Sequence, residues 1–253
     1  MFEIIENVFI ENSLIVAFAF VSLVIWFSYY ISERLTGGKL HGSAVAIILG
    51  LLFAYLSGIA TEGDKGVADF NLLTGVGIMG GAMFRDFAIV ATAYGVKIET
   101  LKHAGIVGAL SILIGVILSF FVGAITAISF GYSDPISITT IGAGAATYIV
   151  GPVTGSALGA NSEIIALSIA AGLVKSILVM IVTPIVAPRI GLDSPNAALI
   201  FGGLMGTTSG VAGGLAATDP KLVPYGAMTA TFYTGVGCLL APSVLFLIVK
   251  LFF

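Results

Sequence analysis

The sequence predicts an all-α polytopic membrane protein, and three observations carry that prediction. Mean hydropathy is +1.14. Only 9% of residues are charged, against about 25% in a soluble domain. About eight hydrophobic elements follow one another with only short polar joints between them. A soluble globule of 253 residues could not hide this much apolar surface; the solvent that suits it is a lipid bilayer.

Uncharged runs mark the elements in order. Ser13–Ile31 and Gly42–Thr61 read as ordinary spans. The N-terminus carries Glu3, Glu6 and Glu11 where a signal peptide would be basic, so the first span is read as retained. Phe70–Val96 is a third span, broken chemically by Arg85-Asp86. Ala104–Ser133 is long enough to tilt. Pro135–Ser162 is apolar but interrupted by Gly142, Gly144, Gly151, Pro152, Gly155 and Gly159. Ile164–Pro188 carries Lys175 in its middle. Ser194–Thr218 is uncharged for 25 residues and contains GGLMGTTSGVAGG, with six glycines around a Thr-Thr-Ser centre. Leu222–Val249 closes the chain as a single transporter-like domain of seven or eight spans.

Several function classes drop out. The ten Lys and Arg are scattered and the net charge is −3, so no basic patch invites nucleic acid. Cys238 is the only cysteine, which leaves no disulfide and no thiolate metal site. No zinc spacing, phosphate loop or Ser/His/Asp arrangement marks an enzyme.

Basic residues in short loops set orientation. Arg34, Lys39, Lys97 and Lys102 place the first and third loops in the cytoplasm and the N-terminus outside. If Pro135–Ser162 enters and returns on one face, basic residues divide six to two in favour of the inside. If it crosses, they divide five to three, so the re-entrant path is preferred. A shift of 126 residues aligns Gly77–Gly80 with Gly203–Gly206 and Ala91-Thr92 with Ala217-Thr218, five identities in 16 positions. It suggests repeat halves 1–130 and 131–253, inverted if the fifth element is re-entrant. Inverted repeats with broken helices recur in secondary transporters, with substrate near the midplane.

The candidate residues follow from what a bilayer penalises. Arg85 sits ten residues from both Gly75 and Gly95. An arginine at that depth costs about 2.5–3.5 kcal/mol on insertion scales, which marks it for substrate or coupling chemistry or for an ion pair. Lys175 follows the same logic with less force because lysine snorkels, and Asp86 is its candidate partner. Glycines every fourth residue allow close helix packing, but they do not account for Thr207, Thr208 and Ser209. Nor do they account for Gly151-Pro152, where a break and a new half-helix would aim N–H groups at an anion. Asn161 and Asp219 stand at element ends, where such oxygens either coordinate a hard cation or simply cap a helix.

Three glycine-rich blocks carry a resemblance: Gly75–Gly95, Gly142–Ile164 and Ile200–Gly235. On these the chain resembles, over essentially its whole length, the MadM family. MadM is the larger membrane subunit of the two-component malonate/sodium symporters. The resemblance implies a bacterial inner-membrane carrier, not an enzyme, which takes up malonate with Na⁺ and works with the small subunit MadL. A higher oligomer is compatible with it. With that substrate, Arg85, the N–H groups near Gly151–Thr154 and the hydroxyls of Thr207, Thr208 and Ser209 become the carboxylate-binding candidates. Asn161 and Asp219 become the sodium candidates. Two other readings compete: the membrane subunit of a sodium-pumping decarboxylase, and a non-transporting scaffold with tight glycine packing.

Overall fold

The computed structural model describes the backbone of residues 2–37, 42–63, 65–79 and 98–253. Every element of regular structure among them is helical. Five stretches are long and apolar enough to cross a membrane: Ser13–Thr36, Gly42–Leu73, Gly105–Ser129, Glu163–Val186 and Pro220–Lys250. Large apolar side chains lie on the outside, Trp26 at 67%, Ile106 at 76% and Leu239 at 73% exposed. Lipid is the solvent for which such a surface costs nothing. The chain is therefore an all-α polytopic membrane protein. The expected span Phe70–Val96, with Arg85 and Asp86, lies for the most part outside the described residues.

Contacts divide the chain into two units, Met1–Gly95 and Val96–Phe253. In the first, α1 (Phe2–Glu11) leads into α2 (Ser13–Thr36), which packs on α3 (Gly42–Thr61). Gly42 lets α3 meet the Tyr29 ring, and Phe20 and Phe53 tilt against each other at 6.0 Å. Arg34 covers the Tyr30 ring at 5.5 Å.

The second unit is built from three long helices and two hairpins. Helix α4 (Ile98–Ser129) bends at Gly105; α5 (Pro135–Ala146) and α6 (Val150–Leu158) follow. A Cβ on Gly151 would come within 2.8 Å of the Gly144 Cα, and one on Gly155 within 2.8 Å of the Thr140 γ-methyl. These pairings run in opposite directions along α5 and α6, so the two helices form an antiparallel hairpin. Glycine is required there because the backbones touch. The segment thus ends at the end of the unit where it began, which is the re-entrant path. The long helix α7 (Ser162–Val186) then leads to the opposite end.

There the chain does the same again. Helices α8 (Pro195–Met205) and α9 (Thr208–Ala216) are joined at Gly206-Thr207. Thr207 bonds Ser176 in the middle of α7, while Gly214 lies on Thr183 nearer its end, so α9 runs back the way α8 came. Ala198, Leu215 and Leu222 share one cluster with Ala187 and Leu192, which places the start of α8 and the end of α9 together. The expectation that Ser194–Thr218 crosses the membrane is thereby corrected: the glycines interrupt the helix at its centre, and the second half turns back. Helix α10 (Val223–Leu240) starts from that end, wedges Gly226 against both Ala198 and Leu215, and continues through a π-turn at Ala241–Leu245 to Phe246–Lys250.

The two hairpins obey one local code, 60 residues apart. Gly131 and Gly191 adopt positive φ (94° and 65°) ahead of each hairpin. Asp134 and Ser194 cap α5 and α8 by accepting from the amides of Ser137 and Ala197, and Pro135 and Pro195 take the first helical position. Thr147 and Thr207 then break each helix in extended conformation. Since one hairpin enters from each end, the copies run in opposite senses. The 126-residue comparison instead draws on residues 80–92, which lie outside the described ones.

Candidate functional site

The tips of the hairpins meet at the middle of α7. Lys175 lies 13 residues after Ser162 and 11 before Val186, at the depth where both helices break. Its side chain is partly buried, and its Nζ donates to the Ala146 carbonyl (2.8 Å), the Ser119 Oγ (2.9 Å) and the Tyr233 hydroxyl (3.3 Å). It also lies 5.1 Å from the centre of the Tyr233 ring. Ala146 is the last residue of α5, so the ammonium meets the negative end of a half-helix. All three partners are neutral oxygens, and among the described residues no carboxylate pairs with it. Asp86, its expected partner, lies outside those residues.

Tyr233 joins the two tips. It is fully buried, and its hydroxyl donates to the Gly115 carbonyl at 3.1 Å while receiving Lys175. Its ring packs flat against Gly206, where φ is +71° and any side chain would occupy the ring's place. Glycine is therefore required twice over at this position. One aromatic residue of α10 thus holds the cation at the first tip and the backbone at the second.

At the second tip the Thr207 hydroxyl pairs closely with Ser176 and accepts from the Gly210 amide at 3.4 Å. The first bond of α9 runs from the Val211 amide to the Thr207 carbonyl at 2.8 Å. Thr208 and Ser209 precede it, and helix geometry leaves their amides without an intrahelical acceptor. The Ser209 hydroxyl oxygen is buried and has no hydrogen-bond partner among the described residues. The positive end of a half-helix is thus anchored on Ser176, one residue along α7 from Lys175.

The other expected residues fare differently. The break falls at Thr147, four residues before Gly151. The Thr147 carbonyl accepts from both the Val150 (3.0 Å) and Gly151 (3.3 Å) amides. Gly151 is packed on Gly144 and Ser168, so its N–H does not face an anion, and that expectation is corrected. Thr154 is buried inside the first hairpin, away from the tip. Asn161 is the N-cap of α7, accepting from the Ile164 amide at 2.9 Å. Asp219 caps the turn Pro220–Leu222, accepting from the Lys221 amide at 3.0 Å. They stand at opposite ends of the unit, each capping backbone as the sequence also allowed. Arg85 lies outside the described residues. Ser119, Ser176 and Tyr233 were not anticipated; the aromatic on an apolar helix resembles any core tyrosine until the fold sets it beside Lys175.

A family model for the malonate/sodium symporter MadM subunit matches residues 5–253. The chain belongs to the MadM family. No curated protein and no solved structure matches it. Membership makes the chain a malonate/sodium symporter subunit, a transport protein of the membrane with several crossing helices. The intramembrane lysine and opposed broken helices then acquire a small dianion as the solute to be explained.

Proposed function

We propose that the chain carries malonate into the bacterial cell across the inner membrane, driven by Na⁺ and together with the small subunit MadL. The observation that carries this reading is Lys175: a cation at the depth of the helix breaks, held among the described residues only by neutral oxygens. A charge at that depth is costly and calls for a counter-charge. One malonate carboxylate meets the Lys175 ammonium, displacing its weaker neutral partners. The other takes the amides of Thr208 and Ser209 and the hydroxyl of Ser209 at the start of α9, where Thr207, its own proton donated to Ser176, fixes the break. The two carboxylates of so short a dianion then bridge the tips of both hairpins. Arg85 remains a second candidate cation for the same solute.

Orientation follows from the second unit's own charges. Arg189 and Lys221, with Asp193 and Asp219, lie at the end from which the second hairpin enters, whereas Lys250, Asp134 and Glu163 lie at the other. The end with more basic residues faces the cytoplasm. Malonate thus enters past the first hairpin and leaves past the second. Sodium offsets part of the dianion's charge while both are enclosed, which links their movement.

Reconstituting the chain with MadL in liposomes and following labelled malonate tests the reading. Uptake is expected only with an inward Na⁺ gradient. Equal uptake with choline in place of sodium would overturn the coupling. Sodium flux that appears only with an added biotin-dependent decarboxylase would overturn the symport itself.

A further inference from the structure

Hydroxyl side chains on the long helices of this unit behave alike. Ser168, Ser176 and Thr183 on α7, and Thr229, Thr231 and Thr234 on α10, all donate to carbonyls three or four residues earlier. That back-bond is the usual resort of Ser and Thr inside a helix that water does not reach. Three threonines of the first hairpin depart from it. Thr139 and Thr140 on α5 and Thr154 on α6 are fully buried, and their hydroxyl oxygens have no hydrogen-bond partner among the described residues. A back-bonding rotamer would have satisfied each one, and a buried hydroxyl left unpaired is destabilising. Apart from Ser209 at the second tip, given above to the anion, the unpaired hydroxyls among the described residues fall on this one hairpin, and they call for a ligand that takes oxygen lone pairs.

Antiparallel packing sets Thr140 and Thr154 on neighbouring turns of α5 and α6. The Thr140 γ-methyl lies where a Cβ on Gly155 would come within 2.8 Å, one residue from Thr154. We propose that Thr140 and Thr154, with Thr139 beside them, form a sodium site within the first hairpin, completed by main-chain carbonyls. The donor set selects the ion. Among the described residues no group of three His, Cys, Asp or Glu is placed to hold a metal. Calcium and the transition metals draw on carboxylate, imidazole or thiolate, whereas neutral hydroxyls and carbonyls suit a hard monovalent cation. The neutral shell also gives the ion a reason to await an anion. Thr140 is seven residues from the tip at Thr147, about 10 Å along the helix. At that separation a bound carboxylate raises sodium affinity about tenfold or more.

The choice of sodium rests on the symport reading above, but the site can be tested without malonate. The full-length chain with its partner subunit is melted in sodium chloride and in choline chloride. Sodium is expected to raise Tm, since a ligand bound only by the folded state stabilises it. Thr140→Val and Thr154→Val keep the shape and remove only the oxygen. Each is expected to abolish the sodium increment or raise its half-saturating concentration about tenfold, and Thr140→Ser is expected to retain it. In liposomes the same Val variants need about tenfold more sodium for half-maximal malonate uptake. The proposal is overturned if sodium leaves the wild-type Tm unmoved, or if the Val variants melt higher in both salts with unchanged sodium dependence. Should malonate uptake ignore sodium while the Val variants still lose the Tm increment, the coupling fails and the site stands. Should uptake need sodium that the Val variants use normally, the site fails and the coupling stands.

Discussion

Lys175→Met separates a lysine that serves transport from one that braces the fold. The ammonium makes three hydrogen bonds to neutral oxygens at 2.8, 2.9 and 3.3 Å. At about 1.5–3 kcal/mol for each bond to a charged group, they offset a desolvation penalty of several kcal/mol for one ion. The two nearly cancel, and methionine has similar length and no charge to desolvate. Stability should therefore change by no more than about 2 kcal/mol, or about 8 °C in Tm. Transport should suffer far more. Losing one charge-assisted contact to a carboxylate costs about 1.5–3 kcal/mol, which is about 10- to 150-fold in malonate affinity. Melting of the purified complex and labelled malonate uptake in liposomes read the two effects separately. Uptake within about twofold of wild type would refute the role given to Lys175. A collapse of Tm in parallel with uptake would make the residue a structural brace between the hairpin tips.

Three further outcomes are expected. Gly206→Ala forces a Cβ into a left-handed backbone and into the Tyr233 ring; a loss of at least about 2 kcal/mol should appear as a lower Tm, and an unchanged Tm would count against the tip geometry. In a Cys238→Ser background, Arg189→Cys and Lys221→Cys should react with an impermeant thiol reagent only from the cytoplasm, and Lys250→Cys only from outside; if Ser194–Thr218 crossed, Lys221 and Lys250 would exchange sides. At the start of α5, partial burial raises the Asp134 carboxyl's pKa, but hydrogen bonds from Ser137 outweigh it and hold it below 3.8. Since the folded value is depressed, its contribution is present above pH 3.8 and lost as pH falls through the folded value. Asp134→Ala should cost about 1 kcal/mol at neutral pH, and less than that in melts at lower pH.

Much of this architecture is written locally. Gly131-Tyr-Ser-Asp134-Pro135 and Gly191-Leu-Asp-Ser194-Pro195 each place a turn glycine, a capping oxygen and an N-terminal proline in the order a helix start requires. Read for caps instead of for identities, the two strings reveal the 60-residue repeat. Hydropathy also finds the long helices well, because lipid exposure forces uniform apolarity. What it hides is direction. A 25-residue uncharged run is long enough to span, and only the pairing of Thr207 with Ser176 and of Gly214 with Thr183 shows α9 turning back. Gly151-Pro152 misled for a related reason: proline marks an early turn of a helix, and here α6 had already begun at Val150. The partners of Lys175 come from α4, α5 and α10, and nothing at 56 or 58 residues' separation announces a hydrogen bond.

Since the two hairpins share one blueprint laid down in contrary directions, a movement of the first has a counterpart of opposite sense in the second. Exchange their postures, and a doorway on one bank becomes a doorway on the other. The scaffold treats both banks alike, and what tells them apart is the lysine at one tip and the bare helix start at the other.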